Sequence, residues 1–248
     1  MLGLPDGVEA CLFDMDGVLT KTAAVHAAAW KQTFDEVLRA RARSDGSAFT
    51  PFDDHDDYDE YVDGRTRADG VRTFLASRGI TLPEGSPDDA PDADTVFGVG
   101  NRKNQLLVDK IRTDGVEAYE GSVRYLRAAE AAGLRRACVS ASANAADVLE
   151  AAGLSGFIEV RVDGVVVAEA GLRGKPAPDT FVEAARRLGV DPSAAAVFED
   201  ALAGVEAGAA GGFAAVVGVD RVGQADALRR HGASVVVRDL AELLGDGR

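Results

Sequence analysis

The sequence predicts an α/β protein: a doubly wound parallel sheet with an α-helical domain inserted after its first strand. Three observations carry this. From about Gly115 onward, short β-branched runs alternate with Ala-rich amphipathic segments, and strands spaced by helices of roughly 10–15 residues mark βαβ units. One apolar run near the start, Ala10 to Phe13, ends in acidic residues as a core strand of such a sheet often does. Between these parts, residues 22–114 offer helical patterns and no convincing core strand. The expected organisation is therefore a core formed by residues 1–21 and 115–248, with a helical cap at 22–114.

Each element has its own signal. Ala10 to Phe13 is the opening strand. Thr22 to Ala40, Asp69 to Arg78 and Arg102 to Ile111 carry helical periodicity. Polar, proline-bearing loops at Ser44 to Asp57 and Pro83 to Asp94 join them. The core resumes with a helix over Ser122 to Ala132, closed by Gly133, and a strand over Arg136 to Ser140. Asn144 to Ala152 is a helix stopped by Gly153. Val160 to Val167 reads V-R-V-D-G-V-V-V, with Asp163-Gly164 as the turn of a small β-hairpin. Pro178 opens a helix that runs to Gly189. Ala195 to Phe198 is a strand ending in Glu199-Asp200, and Ala214 to Val219 and Ser234 to Val237 are the last two. A sheet of this kind is covered on both faces.

Composition narrows the function. The formal net charge of −14 argues against a nucleic-acid surface, which needs a basic footprint, and against an anionic membrane surface. No apolar run approaches the roughly 20 residues of a membrane span. The first residues carry Pro5, Asp6 and Gly7 in place of a basic stretch and an apolar core, so a cytoplasmic location is expected; the protein is separately expected to be a monomer. Cys11 and Cys138 both fall in predicted core strands and read as buried free thiols.

The chemistry lies at predicted strand ends. In an extended strand, residues i and i+2 point the same way, so Asp14 and Asp16 emerge together, and Gly17 lets the backbone turn at once. Paired carboxylates there suit a hard, oxygen-loving cation and an anionic substrate. One can attack phosphorus while the other handles a proton. Three further sets follow strands or sit in a stiff loop: Ser140-Ala141-Ser142-Ala143-Asn144, with hydroxyls and free amides at a helix start; Lys175 in Gly-Lys-Pro-Ala-Pro; and Glu199-Asp200. A zinc site is disfavoured because no Cys/His cluster is present.

Together, in this order, these residues resemble the haloacid dehalogenase superfamily, and most closely its β-phosphoglucomutase family. The resemblance runs through Asp14-Met15-Asp16-Gly17-Val18-Leu19-Thr20, then Thr22, His26 and Trp30, and Gly64-Arg65-Thr66-Arg67. It continues with Arg102-Lys103-Asn104, Ser140 to Asn144, Gly174 to Asp179, and Phe198-Glu199-Asp200 followed by Ala203-Gly204. It implies that Asp14 is the nucleophile, forming an aspartyl phosphate, and that Asp16 is the general acid/base. It also implies Mg2+ held by Asp14, the backbone carbonyl of Asp16 and Asp200, with Glu199 close by. Ser140 and Lys175 would bind the phosphoryl being transferred. Ser142, Asn144 and the cap residues Thr22, His26, Trp30, Arg67 and Lys103 would bind the rest of a small sugar phosphate. His26 is expected to couple sugar binding to catalysis, and Arg67 to grip the phosphate that is not transferred.

Two positions depart from the family pattern: Asp63 stands where a cap lysine is usual, with Arg65 nearby, and Ala143 where a basic residue is frequent. A mutase working on glucose phosphates and a phosphatase acting on a small phosphate ester both remain open, since each needs Asp14 and Asp16. Other features read as structural. Gly98-Val99-Gly100 lacks the third glycine and the preceding strand of a nucleotide loop. Asp53-Asp54-His55-Asp56-Asp57 lacks calcium-loop spacing, and His231 falls on a late surface helix. Trp30 has packing of the cap helix as its other reading.

Overall fold

The computed structural model describes residues 2–245. Among them, six strands form one sheet: β1 (Ala10–Phe13), β2 (Arg135–Val139), β3 (Val160–Val162), β4 (Ala195–Glu199), β5 (Ala215–Val219) and β6 (Val235–Val237). The order across the sheet is β3-β2-β1-β4-β5-β6, and every neighbouring pair is parallel. Strand β1 is therefore central and wholly buried. Its Phe13 stands in register with Cys138 of β2 on one side and Phe198 of β4 on the other. That register brings the residues that follow three strands to one edge of the sheet.

The chain has two compact units: the described residues up to Lys21 and from Val116 onward, and Thr22–Gly115. Gly115 falls with the helical unit, one residue past the boundary read from the sequence. The helical unit consists of α1 (Ala23–Asp45), α2 (Asp56–Tyr61), α3 (Arg67–Ser77) and α4 (Val96–Asp114). The sheet unit adds α5 (Glu120–Ala131), α6 (Ala145–Ala151), α7 (Gly164–Ala170), α8 (Asp179–Leu188), α9 (Leu202–Ala210) and α10 (Ala225–His231).

Side-chain alternation decides what covers the sheet. Ala10 and Leu12 of β1, Ala137 and Val139 of β2 and Val197 of β4 pack with Phe181 and Leu188 of α8, Val205 of α9 and Leu228 of α10. Phe13 turns to the other side, stacking on Phe198 at 4.6 Å and meeting Tyr125 of α5 edge-on at 6.2 Å. The helical unit has its own aromatic core. The Phe34 ring lies 4.9 Å from Trp30, 5.2 Å from Phe52 and 4.2 Å from Phe74. Phe34→Ala is expected to destabilise this unit by about 3–5 kcal/mol, the range for deleting a buried aromatic ring, read as a lower denaturant midpoint.

Three expectations are corrected. Residues Val160 to Val167 are not a hairpin: β3 ends at Val162 and α7 begins at Gly164. The Asp163 side chain accepts from Val165 N and Val166 N at 3.1 Å each, so it caps a helix. Helix α1 continues to Asp45, past the proposed stop at Ala40. Helix α4 starts at Val96, earlier than the expected Arg102, and encloses Gly98-Val99-Gly100 in its first turns. Cys11 and Cys138 are free and buried as expected, and burial pushes the Cys11 thiol up to about 12. Among the described residues no helix is long and apolar enough to cross a membrane.

Candidate active site

The apolar strands β1 and β4 deliver Asp14 and Glu199-Asp200 to the same edge, and Asp14 N is tied to Phe198 O at 2.9 Å. Carboxylate oxygens of Asp14, Glu199 and Asp200, all buried, lie within 4.8 Å of one another. Lys175, itself buried, donates to Asp14 and to Glu199, and its ammonium lies 5.0 Å from the centre of the Phe181 ring. Glu199 is further fixed by Ala201 N at 2.9 Å.

Electrostatics follow from this crowding. Burial holds the Asp14 carboxyl well above its ordinary range; Lys175 opposes the shift, while Glu199 and Asp16 add to it. For Lys175, burial alone would favour the neutral amine, but Asp14 and Glu199 outweigh it and keep the ammonium charged. Asp14 and Glu199 thus share the Lys175 ammonium, with the Asp200 carboxylate close beside them. An oxygen donor set of this charge fits a divalent metal such as Mg2+, which binds few carboxylates and fills its remaining positions with water or phosphate oxygens.

The turn after Asp14 is held from several directions. Gly17 adopts φ +82°, and a side-chain carbon there would lie 1.7 Å from Asp200 Oδ2, so any other residue would be strained and would displace that carboxylate. Thr20 donates to Met15 O through its amide at 2.9 Å and its hydroxyl at 3.1 Å. Ser122 Oγ donates to Val18 O at 2.6 Å, and Tyr119 N to Leu19 O at 3.0 Å.

Ser140 follows β2, its amide bonded to Val162 O at 3.0 Å. The amides of this loop are not all free, contrary to the sequence reading. Ser142 N donates to Ser140 Oγ at 3.0 Å and Asn144 N to Ser142 Oγ at 3.2 Å, because the loop's own hydroxyls curl back on its backbone. Gly164 fits beneath it: a side-chain carbon there would meet Ala141 O at 2.8 Å and Ala143 N at 2.9 Å.

The helical unit carries the remaining candidates. Thr22 is buried at the start of α1. Lys103, also buried, donates from Nζ to His26 Nδ1 at 3.1 Å; an ammonium only donates, so Nδ1 is the acceptor. Arg67 donates to Asn101 Oδ1 at 3.3 Å. Trp30 is 4% exposed and stacked on Phe34, with Lys103 Nζ 4.9 Å from its ring centre. Its area therefore packs in the unit's core, which favours the packing reading of this residue. Asp53, Asp54, His55 and Asp56 are exposed, and Asp57 pairs with Arg78 at 2.5 Å. His231 lies 3.4 Å from Glu206.

Sequence reasoning missed one group of residues. Arg221 and Gln224, in the loop after β5, donate to Gly17 O at 2.6 Å and to Asp200 O at 3.1 Å. The signal available was position alone, since loops at the carboxyl ends of parallel strands gather round the ligand.

The haloacid dehalogenase-like hydrolase family model matches residues 8–212. A β-phosphoglucomutase of Mycobacterium bovis is 59% identical over 247 residues, covering 98% of this chain and 94% of its own. One from Bacillus subtilis is 30% identical over 236 residues, covering 95% and 92%. The crystal structure of a β-phosphoglucomutase from Clostridium difficile superposes with a TM-score of 0.74 at 25% identity, covering 95% of this chain and 93% of that one. The chain therefore belongs to the haloacid dehalogenase-like hydrolase family and, within it, to the β-phosphoglucomutases.

Proposed function

We propose that the protein is a Mg2+-dependent phosphomutase that interconverts β-D-glucose 1-phosphate and glucose 6-phosphate through an aspartyl phosphate on Asp14. One observation carries the reading: the buried cluster of Asp14, Glu199 and Asp200 around Lys175 at the end of the central strand. Its near-full-length relatives bearing the β-phosphoglucomutase name support the substrate.

In this reading, a carboxylate oxygen of Asp14 attacks phosphorus, and the bond from phosphorus to the sugar oxygen breaks. Asp16 gives its proton to that departing oxygen. In the other half-reaction the Asp16 carboxylate takes a proton from the 6-hydroxyl of an incoming glucose 1-phosphate as that oxygen attacks the phosphorus of the Asp14 phosphate, and the bond from phosphorus to Asp14 breaks. Starting from the phosphorylated enzyme, glucose 1-phosphate becomes glucose 1,6-bisphosphate, turns over, and leaves as glucose 6-phosphate with the enzyme phosphorylated again. Attack brings anion onto anion, so Lys175 must already be in place to stabilise the oxygens that gain charge. Mg2+ held by Asp14, Asp200 and the Asp16 carbonyl, with Glu199 close by, would supply further charge neutralisation. Ser140 is assigned to the transferred phosphoryl, and Ser142 and Asn144 to the other phosphate. On the helical unit, Arg67, Lys103, His26 and Thr22 are the groups assigned to the sugar phosphate; a guanidinium suits a phosphate's paired oxygens.

The test mixes protein, Mg2+ and a trace of glucose 1,6-bisphosphate with α- or β-glucose 1-phosphate. Glucose 6-phosphate is expected from the β anomer alone, with activity removed by EDTA and restored by excess Mg2+. Stoichiometric inorganic phosphate without isomerisation would instead identify a phosphatase.

A further inference from the structure

Arg221 is half-buried in the loop between β5 and α10. Its Nε donates to Gly17 O at 2.6 Å and its Nη1 to Arg238 O at 2.7 Å. The guanidinium carbon lies 3.5 Å from the centre of the Tyr119 ring. Nη2 is buried and has no hydrogen-bond partner. A fixed positive charge is thus spent on backbone carbonyls and an aromatic face, and one of those carbonyls belongs to the residue directly after Asp16.

The same loop reaches the acidic cluster by a second route. Gln224 Nε2 donates to Asp200 O at 3.1 Å. Asp220 Oδ1 accepts from Gly223 N at 2.7 Å and Gln224 N at 2.8 Å, so the loop is shaped before it touches the site. Gly17 is packed so closely against the Asp200 carboxylate that any shift of the turn changes the space that carboxylate occupies. The Tyr119 face beneath Arg221 belongs to the residue whose amide holds Leu19 O. The loop therefore joins the two segments that bear the acids, Arg221 reaching Gly17 O and Gln224 reaching Asp200 O.

We propose that Arg221 is a positioning residue, with Gln224 as its auxiliary, that sets the spacing between the Asp14–Gly17 turn and Asp200 needed to hold a divalent cation. The side chain touches neither substrate nor metal. It acts through the Gly17 carbonyl, as outer partners of metal ligands do elsewhere, where their loss lowers affinity about 10–100-fold. The inference rests on the cluster being a cation site, as the proposed function requires.

The experiment measures Mn2+ binding to the substrate-free, full-length protein by the loss of the free-ion EPR signal. Arg221→Met is expected to raise the dissociation constant about tenfold or more. Arg221→Lys, which still reaches one carbonyl, is expected to recover most of that loss. In turnover, the Arg221→Met rate should respond to added Mg2+ with a raised half-saturation point, while KM for the sugar phosphate at saturating Mg2+ stays within about twofold of wild type. If Arg221→Met proves too unstable to titrate, Gln224→Leu, which removes a single bond to Asp200 O, is measured in its place and should weaken Mn2+ binding several-fold. Unchanged Mn2+ affinity in the variant titrated overturns the proposal. A wild-type protein that binds Mn2+ but turns over neither anomer refutes the proposed reaction while leaving this inference intact.

Discussion

Asp14→Asn is expected to eliminate turnover by at least about 10⁴-fold, since a missing covalent nucleophile is among the most damaging single changes an enzyme can suffer. The substitution is nearly isosteric, and Asn still accepts a hydrogen bond from Lys175, so the fold should persist. What disappears is the anionic oxygen that bonds to phosphorus. Rapid-quench labelling with phosphate-labelled glucose 1,6-bisphosphate should place label on a peptide containing Asp14 in the wild type and on none in the variant. A labelled Asp14→Asn protein would remove this residue as nucleophile. Loss of one carboxylate also relieves the crowding of acids, so the metal-free variant should be no less stable than wild type, a sign opposite to that of most buried substitutions.

Lys175→Met tests the other half of the cluster. Methionine preserves the apolar stem but removes the ammonium that donates to Asp14 and Glu199 and lies over the Phe181 ring. Stripping one partner from a buried ion pair typically destabilises by about 3–5 kcal/mol, because the remaining charge is left uncompensated. The sign with pH follows. Burial already raises the Asp14 carboxyl above its unfolded value, and Lys175 works against that rise. Without the lysine the carboxyl rises further, so the metal-free variant should be most stable at low pH and lose stability as Asp14 ionises. Added Mg2+ should stabilise the variant more than the wild type. Denaturant midpoints that are equal for the two proteins across pH, with and without Mg2+, would show that the acids do not depend on this lysine.

The sheet was legible in the sequence because its strands are short apolar runs with acids or hydroxyls at their ends. Asp14, Ser140 and Glu199-Asp200 stand out as a group in the sequence, and the fold brings the three acids within reach of one ion. Residues Asp163-Gly164 misled because aspartate before glycine serves equally as a hairpin turn and as a helix cap, and the valines that follow favour a strand by intrinsic preference. The deciding fact was tertiary: Gly164 must lie flat against the backbone of Ala141 to Ala143, and Asp163 turns its carboxylate onto Val165 N and Val166 N. Trp30 was ambiguous for a similar reason, because helical spacing does not distinguish a core face from a ligand face. Arg221 was invisible. Its partner, Gly17, lies 204 residues away, and no local pattern announces a guanidinium that bonds to a carbonyl.

The order in which the strands are made differs from the order in which they pair. Ala10 is opposite Arg135 on one side and Ala195 on the other, yet β1 is the first strand to leave the ribosome. At synthesis speeds of about 5–20 residues per second, it waits roughly 10 to 40 seconds before its second neighbour exists. During that interval an apolar segment with unsatisfied backbone groups on both edges is open to misassociation. The helical segment with its own aromatic core can collapse meanwhile, while the opening strand still waits for the strands that flank it.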